Sequence, residues 1–209
     1  MPRVDFPLYL VTDRHQTGGR SLVPLIEQAA AGGLRAVQVR ERDLATRDVL
    51  ALAQELHAPL SARGVRVLIN DRVDLVLALG ADGVHLRADS LPVAAARRLL
   101  GSDRLVGVST HSADGVVRAE SDGADFAVLG PIYETPSKRQ YGEPIGLRVL
   151  EEAGRRCRIP VFAIGGITVA RVAEVRRAGA YGVAVASAIL SAASTESATR
   201  QFLDALARA

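Results

Sequence analysis

Short runs of aliphatic and β-branched residues recur along the chain, each followed by a glycine or polar turn and then by apolar residues at helical spacing. The strand candidates are residues 8–13 (LYLVTD), 36–41, 66–71, 83–86, 105–110, 126–131, 161–166 and 182–187 (GVAVAS). Helical periodicity falls between them, over residues 21–30, 46–64, 73–80, 92–100, 114–123, 146–156, 169–179 and 196–208. Continuous apolar strands are what burial on both faces requires. Strict alternation of strand and helix predicts a parallel sheet with right-handed crossovers. Eight such units in 209 residues predict an α/β fold, a (β/α)8 TIM barrel, as a single domain over residues 1–209. An open doubly wound sheet is the rival. It is disfavoured because TDRHQTGG after the first strand is not the G-x-G-x-x-G of a dinucleotide fold.

Composition refines this picture in three places. Hydrophobic residues make up 48% of the chain and aromatics only 4%, so Leu, Val, Ile and Ala are expected to build the core. The net charge of +3 is spread through interleaved Arg and Asp/Glu, which predicts no nucleic-acid partner. Cys157 is the one cysteine, so no internal disulfide can form, and a structural thiol is expected. No apolar run approaches the ~18 residues of a membrane span, and no signal-peptide pattern opens the chain. A cytoplasmic protein without a membrane partner is expected, with a homo-oligomer left open. The phrases GADGVHL, GADFAVLG and GAYGVAV share one turn chemistry, a helix-ending glycine before a strand.

In a barrel, chemistry belongs at the C-terminal ends of the strands. Gln38 and Arg40 alternate with Val39 and share one face of the second strand. Asn70 and Asp71 end the third, and His85 lies in the fourth, with Asp89 in the loop after it. Ser109, Thr110 and His111 end the fifth. The sixth leads into GPIYETPSKRQYG, with Thr135, Ser137 and Lys138, the only lysine of the chain. Gly165 and Gly166 follow the seventh strand, and Ala186 and Ser187 the eighth, before a helical turn. Loops after strands seven and eight predict a phosphate site, because glycine lets backbone N–H groups approach anionic oxygens. Arg40, Asn70, Asp71 and Lys138 form a second polar group. Asp71 reads equally as a Mg²⁺ ligand or as a helix N-cap. His85 reads as a histidine satisfied inside the barrel, and His111 as a general acid/base or a cap. The histidines are too scattered for zinc, and STHS lacks a hydrolase elbow.

Together QVRER, INDRVDLVLALGADGVHL, GVSTHS, GPIYETPSK and IPVFAIGGI resemble the thiamine phosphate synthase family and its sister branch, the TenI-like thiazole tautomerases. The resemblance covers nearly the whole chain and implies a (β/α)8 barrel. It implies a transferase of thiamine biosynthesis that joins an aminopyrimidine diphosphate to a thiazole phosphate and releases diphosphate with Mg²⁺. By that resemblance Gln38 and Asn70 contact the pyrimidine, while Arg40, Asn70 and Lys138 hold its diphosphate. Asp71 binds the metal, and Ser109 lies near the leaving group. Thr135, Ser137, Gly165, Gly166, Ala186 and Ser187 hold the thiazole phosphate. The partners implied are small phosphorylated substrates.

The chain also departs from the family pattern. H-L-G-Q-[ED]-D-L-P becomes HLRADSLP, so Arg87 replaces glycine and Ser90 stands where a second metal carboxylate belongs. Asp89, one position earlier, is the candidate replacement. Arg42 replaces the lysine of R-x-K. The proton-moving histidine of the tautomerase branch is Pro131 here. The synthase is the favoured function, with the tautomerase (an isomerase, requiring no metal) and a non-catalytic thiazole-phosphate binder as alternatives.

Overall fold

The computed structural model describes residues 4–135 and 143–209. Eight parallel strands close into a barrel in chain order. They are β1 (Leu8–Val11), β2 (Ala36–Val39), β3 (Arg66–Asn70), β4 (Gly83–Leu86), β5 (Leu105–Thr110), β6 (Phe126–Leu129), β7 (Val161–Ile164) and β8 (Gly182–Val185). Around them run α1 (Leu22–Ala31), α2 (Thr46–Ser61), α3 (Val73–Leu79), α4 (Val93–Leu100), α5 (Ala113–Ser121), α6 (Gly146–Arg156), α7 (Val172–Arg177), the short α8 (Ser187–Leu190) and α9 (Thr195–Arg208). This is the expected TIM barrel. Two expected strands match residue for residue, and six stop one or two residues early at their C-terminal ends. Apart from Pro131 and Ala186, the trimmed residues are polar or glycine positions of the rim, where the chain leaves its neighbour to enter a loop. No helix among the described residues is long and apolar enough to cross a membrane.

The expectation of an aliphatic core holds for the layer between sheet and helices, where Leu, Val, Ile and Ala dominate. Inside the barrel the aliphatic residues, Leu68 and Leu105 among them, are joined by a cluster of aromatics. Phe6, Tyr9, Phe126 and Phe162 meet there, their ring centroids 5.4–6.1 Å apart. The few aromatics are concentrated where eight converging strands leave a space that short side chains cannot fill. Gly107 makes room for them: a Cβ there would lie 2.2 Å from the Phe126 ring.

The repeated GAD phrases have a role beyond turn chemistry. Asp82 Oδ2 accepts the Val67 N–H at 2.8 Å, and Asp125 Oδ2 accepts the Val106 N–H at 2.7 Å. Each carboxylate thus satisfies a backbone donor near the start of the preceding strand. Asp125 also pairs with Arg97 at 2.6 Å, with both side chains largely buried.

Candidate active site

Above the aromatic layer the barrel interior turns polar. Asn70 pairs with His85 and His85 with Gly107 across β3, β4 and β5, so alternate residues face inward. Gln38 is buried, and its Nε2 donates to Asn70 Oδ1 at 2.9 Å. Amides joined this way offer a ligand one carbonyl acceptor and one amide donor side by side. His85 Nε2 lies 3.0 Å from Ser109 Oγ, and Tyr9 Oη lies 3.5 Å from His85 Nδ1. Burial first, and the Arg40 charge second, bring the His85 pKa down to about 3. Burial also raises that of Tyr9, which stays a phenol donor. A neutral His85 that accepts from Tyr9 at Nδ1 carries its proton on Nε2 and donates to Ser109. The expectation of a satisfied interior histidine holds.

Arg40 is set at the rim by its backbone. Its N–H donates to Thr12 Oγ1 at 2.8 Å. The next residue, Glu41, is buried and accepts the Arg14 backbone N–H at 3.1 Å, while Arg14 forks onto Asp43 at 2.5 and 2.6 Å. Arg40 follows β2 by one residue, two positions after Gln38, and its charge is the second cause of the lowered His85 pKa.

Asp71 is the one described non-glycine residue in the left-handed region, with φ 63°. An acidic residue tolerates this region better than most, and such conformations collect at functional sites. Its N–H donates to the His85 carbonyl at 2.9 Å, which holds the turn against β4. The N-cap alternative does not hold: Arg72 occupies the N-cap position of α3, and the Asp71 carboxylate faces Arg87 instead. Arg87 Nε stands 3.1 Å from Asp71 Oδ2 and 3.4 Å from Asp89 Oδ1. The Arg87 backbone N–H adds a long contact to Asp71 Oδ1 at 3.5 Å. The Nε is sequestered from solvent, yet its N–H points at neither carboxylate closely enough for a hydrogen bond. The two pairs are Coulombic contacts. Mg²⁺ needs one or two carboxylates, with substrate phosphates and water completing its octahedron. Asp71 fits such a role as a single carboxylate. Asp89 is 79% exposed on its side chain and faces the same guanidinium. Among the described residues no cluster of three or more His, Cys, Asp or Glu is placed to hold a metal.

The second part of the mouth is a cup of loops. Gly165 and Gly166 both have positive φ, 98° and 65°. A Cβ on Gly166 would lie 2.8 Å from Tyr133 Cβ and 2.9 Å from the Glu134 carbonyl oxygen. The loop after β6 is pinned to this turn: the Ile132 N–H donates to the Ile164 carbonyl at 2.8 Å and Tyr133 N–H to Gly165 at 3.1 Å. Arg171 closes the assembly, stacking 4.1 Å over the Tyr133 ring and donating to the Gly166 carbonyl at 2.6 Å. Tyr133 Oη donates to Glu174 at 2.6 Å. Burial and that bond push its pKa up to about 12. Thr135 Oγ1 donates to the Tyr133 carbonyl at 3.1 Å. Ala186 is the N-cap of α8 and Ser187 its first residue, as the expected helical turn requires.

Ser137 and Lys138 lie outside the described residues. His111 is not the cap of α5. Its Nδ1–H donates to the Gly130 carbonyl at 2.5 Å, and Ser112 caps α5. Cys157 is a structural thiol as expected, its pKa raised by burial. Sequence reasoning missed Tyr9, which reads as one apolar residue in LYLV, and Tyr133, whose signal was a lone aromatic in a polar loop. It flagged Arg87 as a departure but not its carboxylate partners.

With this geometry in view, comparison with known proteins is direct. The family profile for thiamine monophosphate synthase matches residues 8–189. A thiamine-phosphate synthase of Chloroflexus aurantiacus is 46% identical over 198 residues, covering 95% of this chain and 91% of that one. One from Roseiflexus castenholzii is 44% identical over 201 residues, covering 96% and 88%. The thiamine phosphate pyrophosphorylase structure from Pyrococcus furiosus superposes with a TM-score of 0.88 at 30% identity, covering 97% of this chain and 96% of that one. A profile match across most of the barrel, joined to near-complete coverage by these relatives, means that this chain belongs to the thiamine monophosphate synthase family.

Proposed function

We propose that this barrel is a thiamine-phosphate synthase, joining 4-amino-2-methyl-5-hydroxymethylpyrimidine diphosphate to thiazole phosphate with release of diphosphate. The observation that carries the reading is a mouth with two separate polar floors. One is the Gln38–Asn70 amide pair with Arg40 and Asp71 at its edge; the other is the glycine cup under the loop after β6. Two phosphorylated substrates need two such places. In the reaction the bond between the pyrimidine methylene carbon and the diphosphate oxygen breaks, and its electron pair leaves with the diphosphate. The thiazole nitrogen then gives its lone pair to the methylene cation and forms the C–N bond. No proton is removed in either step, so positioning and charge stabilisation dominate.

Gln38 and Asn70 orient the pyrimidine. Arg40 faces the diphosphate, and Ser109, with its oxygen accepting from His85, directs its own O–H toward the departing group. Gly165, Gly166, Thr135, Ala186 and Ser187 receive the thiazole phosphate. Ser137 is assigned to that phosphate, and Lys138 to the diphosphate, from the family resemblance. Asp71 is the carboxylate that would hold Mg²⁺ beside diphosphate oxygens, the ion neutralising charge on the leaving group. The substrates are small and phosphorylated, and the place of work is the cytoplasm. The neutral, doubly contacted His85 favours this reading over a tautomerase, which must move a proton at a position that is Pro131 here.

The test is a coupling assay with both substrates and Mg²⁺, following thiamine phosphate by fluorescence after oxidation. Product that is lost in Asn70→Ala supports the reading. Bound thiazole phosphate without product rejects it, and metal-free proton exchange on the thiazole would move the protein to the tautomerase branch.

A further inference from the structure

We propose that Arg87 is a built-in cation of the diphosphate subsite, seated between Asp71 and Asp89 in the free protein and passing its guanidinium to the diphosphate when substrate binds. The inference deepens the synthase reading and rests on it for the identity of the anion. Three observations carry it. Arg87 Nε stands 3.1 Å from Asp71 and 3.4 Å from Asp89, so one positive charge sits where two carboxylates could otherwise hold a divalent ion. The Nε–H is sequestered but hydrogen-bonds to neither carboxylate, so what holds the guanidinium between them is charge. The Arg87 side chain is 40% exposed, which leaves it open to the mouth, while Asp71 is anchored to β4 through its N–H bond to His85.

A guanidinium matches diphosphate with paired, charge-assisted N–H donors, which a carboxylate-bound arginine already presents in part. Two consequences follow. The free protein binds divalent cations poorly, because a cation must displace Arg87 to reach Asp71. The protein also grips diphosphate without metal, because Arg87 and Arg40 supply the positive charge themselves.

The probes are inorganic diphosphate, titrated calorimetrically in EDTA, and Mn²⁺, followed by electron paramagnetic resonance on ligand-free protein. Wild type is expected to bind diphosphate in EDTA. Arg87→Gln is expected to weaken that binding about tenfold or more, the scale of a lost charge-assisted contact. The same variant is expected to bind Mn²⁺ at least about tenfold tighter than wild type, since two carboxylates are released. Arg87→Lys, which keeps the charge, should sit nearer wild type in Mn²⁺ affinity and provides a second folded variant. Undetectable diphosphate binding by wild type in EDTA, or equal diphosphate affinity in wild type and Arg87→Gln, overturns the proposal. Failure of the synthase reading is seen separately, as absence of thiamine phosphate from wild type with Mg²⁺, whatever the two binding titrations give.

Discussion

His85 Nε2 lies 3.0 Å from Ser109 Oγ, with the imidazole fully enclosed between Tyr9 and the polar layer of the mouth. Its pKa of about 3 lies well below the value of a free histidine. Below pH about 6.5 the unfolded chain takes up a proton that native His85 refuses until pH about 3. This group's contribution is therefore complete above pH about 6.5 and is lost on acidification, at about 1.4 kcal/mol per pH unit. Urea denaturation at pH 4, 5, 6 and 7 should show that slope, and His85→Gln should flatten it by about one proton's worth. An unchanged slope in the variant would mean that His85 titrates normally. Between pH 6 and 9 His85 should contribute no ionisation to kcat.

The amide pair should separate stability from chemistry. Asn70→Ala removes the acceptor for Gln38 Nε2, which is buried at 3% exposure. A buried donor left without a partner costs about 1–3 kcal/mol. Thermal denaturation should show that loss, and turnover in the coupling assay should fall about 100-fold or more, as orientation of one substrate goes with it. Asn70→Asp keeps an acceptor for Gln38, so it should recover stability without recovering rate. If it recovers both, the Asn70 amide donor has no part in the reaction.

At the other end of the barrel the expectation is reversed. Asp125 accepts the Val106 N–H and pairs with Arg97 at 2.6 Å, far from the strand ends that carry the mouth. Asp125→Ala leaves a buried guanidinium without its carboxylate, a change worth about 3–5 kcal/mol. Arg97 also donates to the carbonyls of Gly101, Arg104 and Gly123, which keeps the loss near the lower bound. Chemical denaturation should register this loss while KM for both substrates stays within about twofold, since neither contacts that end. A large KM change would mean that strain passes along β5 to Ser109.

How far the sequence is legible depends on how local the cause is. Strand and helix periodicity is local, and every predicted strand is present. Alternation along β2 is local too, which is why Gln38 and Arg40 were assigned to one face. What the pattern could not show is which separate strands bring partners together. Tyr9 and His85 are 76 positions apart, and Tyr133 meets Glu174 across 41. The Asp71 N-cap expectation failed for a similar reason. Spacing puts Asp71 before α3, but the pull of Arg87 from the next loop and a left-handed backbone turn its carboxylate away. Aromatic content spoke to the core as a whole and not to its inner layer, because composition carries no position.

Gly166 offers the sharpest separation of the two subsites. Its φ of 65° is one that side-chain-bearing residues adopt at a cost of about 1–2 kcal/mol. A Cβ there would press on Tyr133 Cβ at 2.8 Å and on the Glu134 carbonyl at 2.9 Å. Backbone cannot yield as a flexible side-chain end does, so the loop after β6 must lift from the β7 turn. Gly166→Ala should therefore loosen the stack of Arg171 on Tyr133 and spoil the thiazole-phosphate cup. KM for thiazole phosphate should rise about tenfold or more, about 1.4 kcal/mol of lost binding, while calorimetric affinity for inorganic diphosphate stays unchanged. Equal weakening of both ligands would mean that the two floors of the mouth move as one. An unchanged KM for thiazole phosphate would place that phosphate elsewhere on the rim.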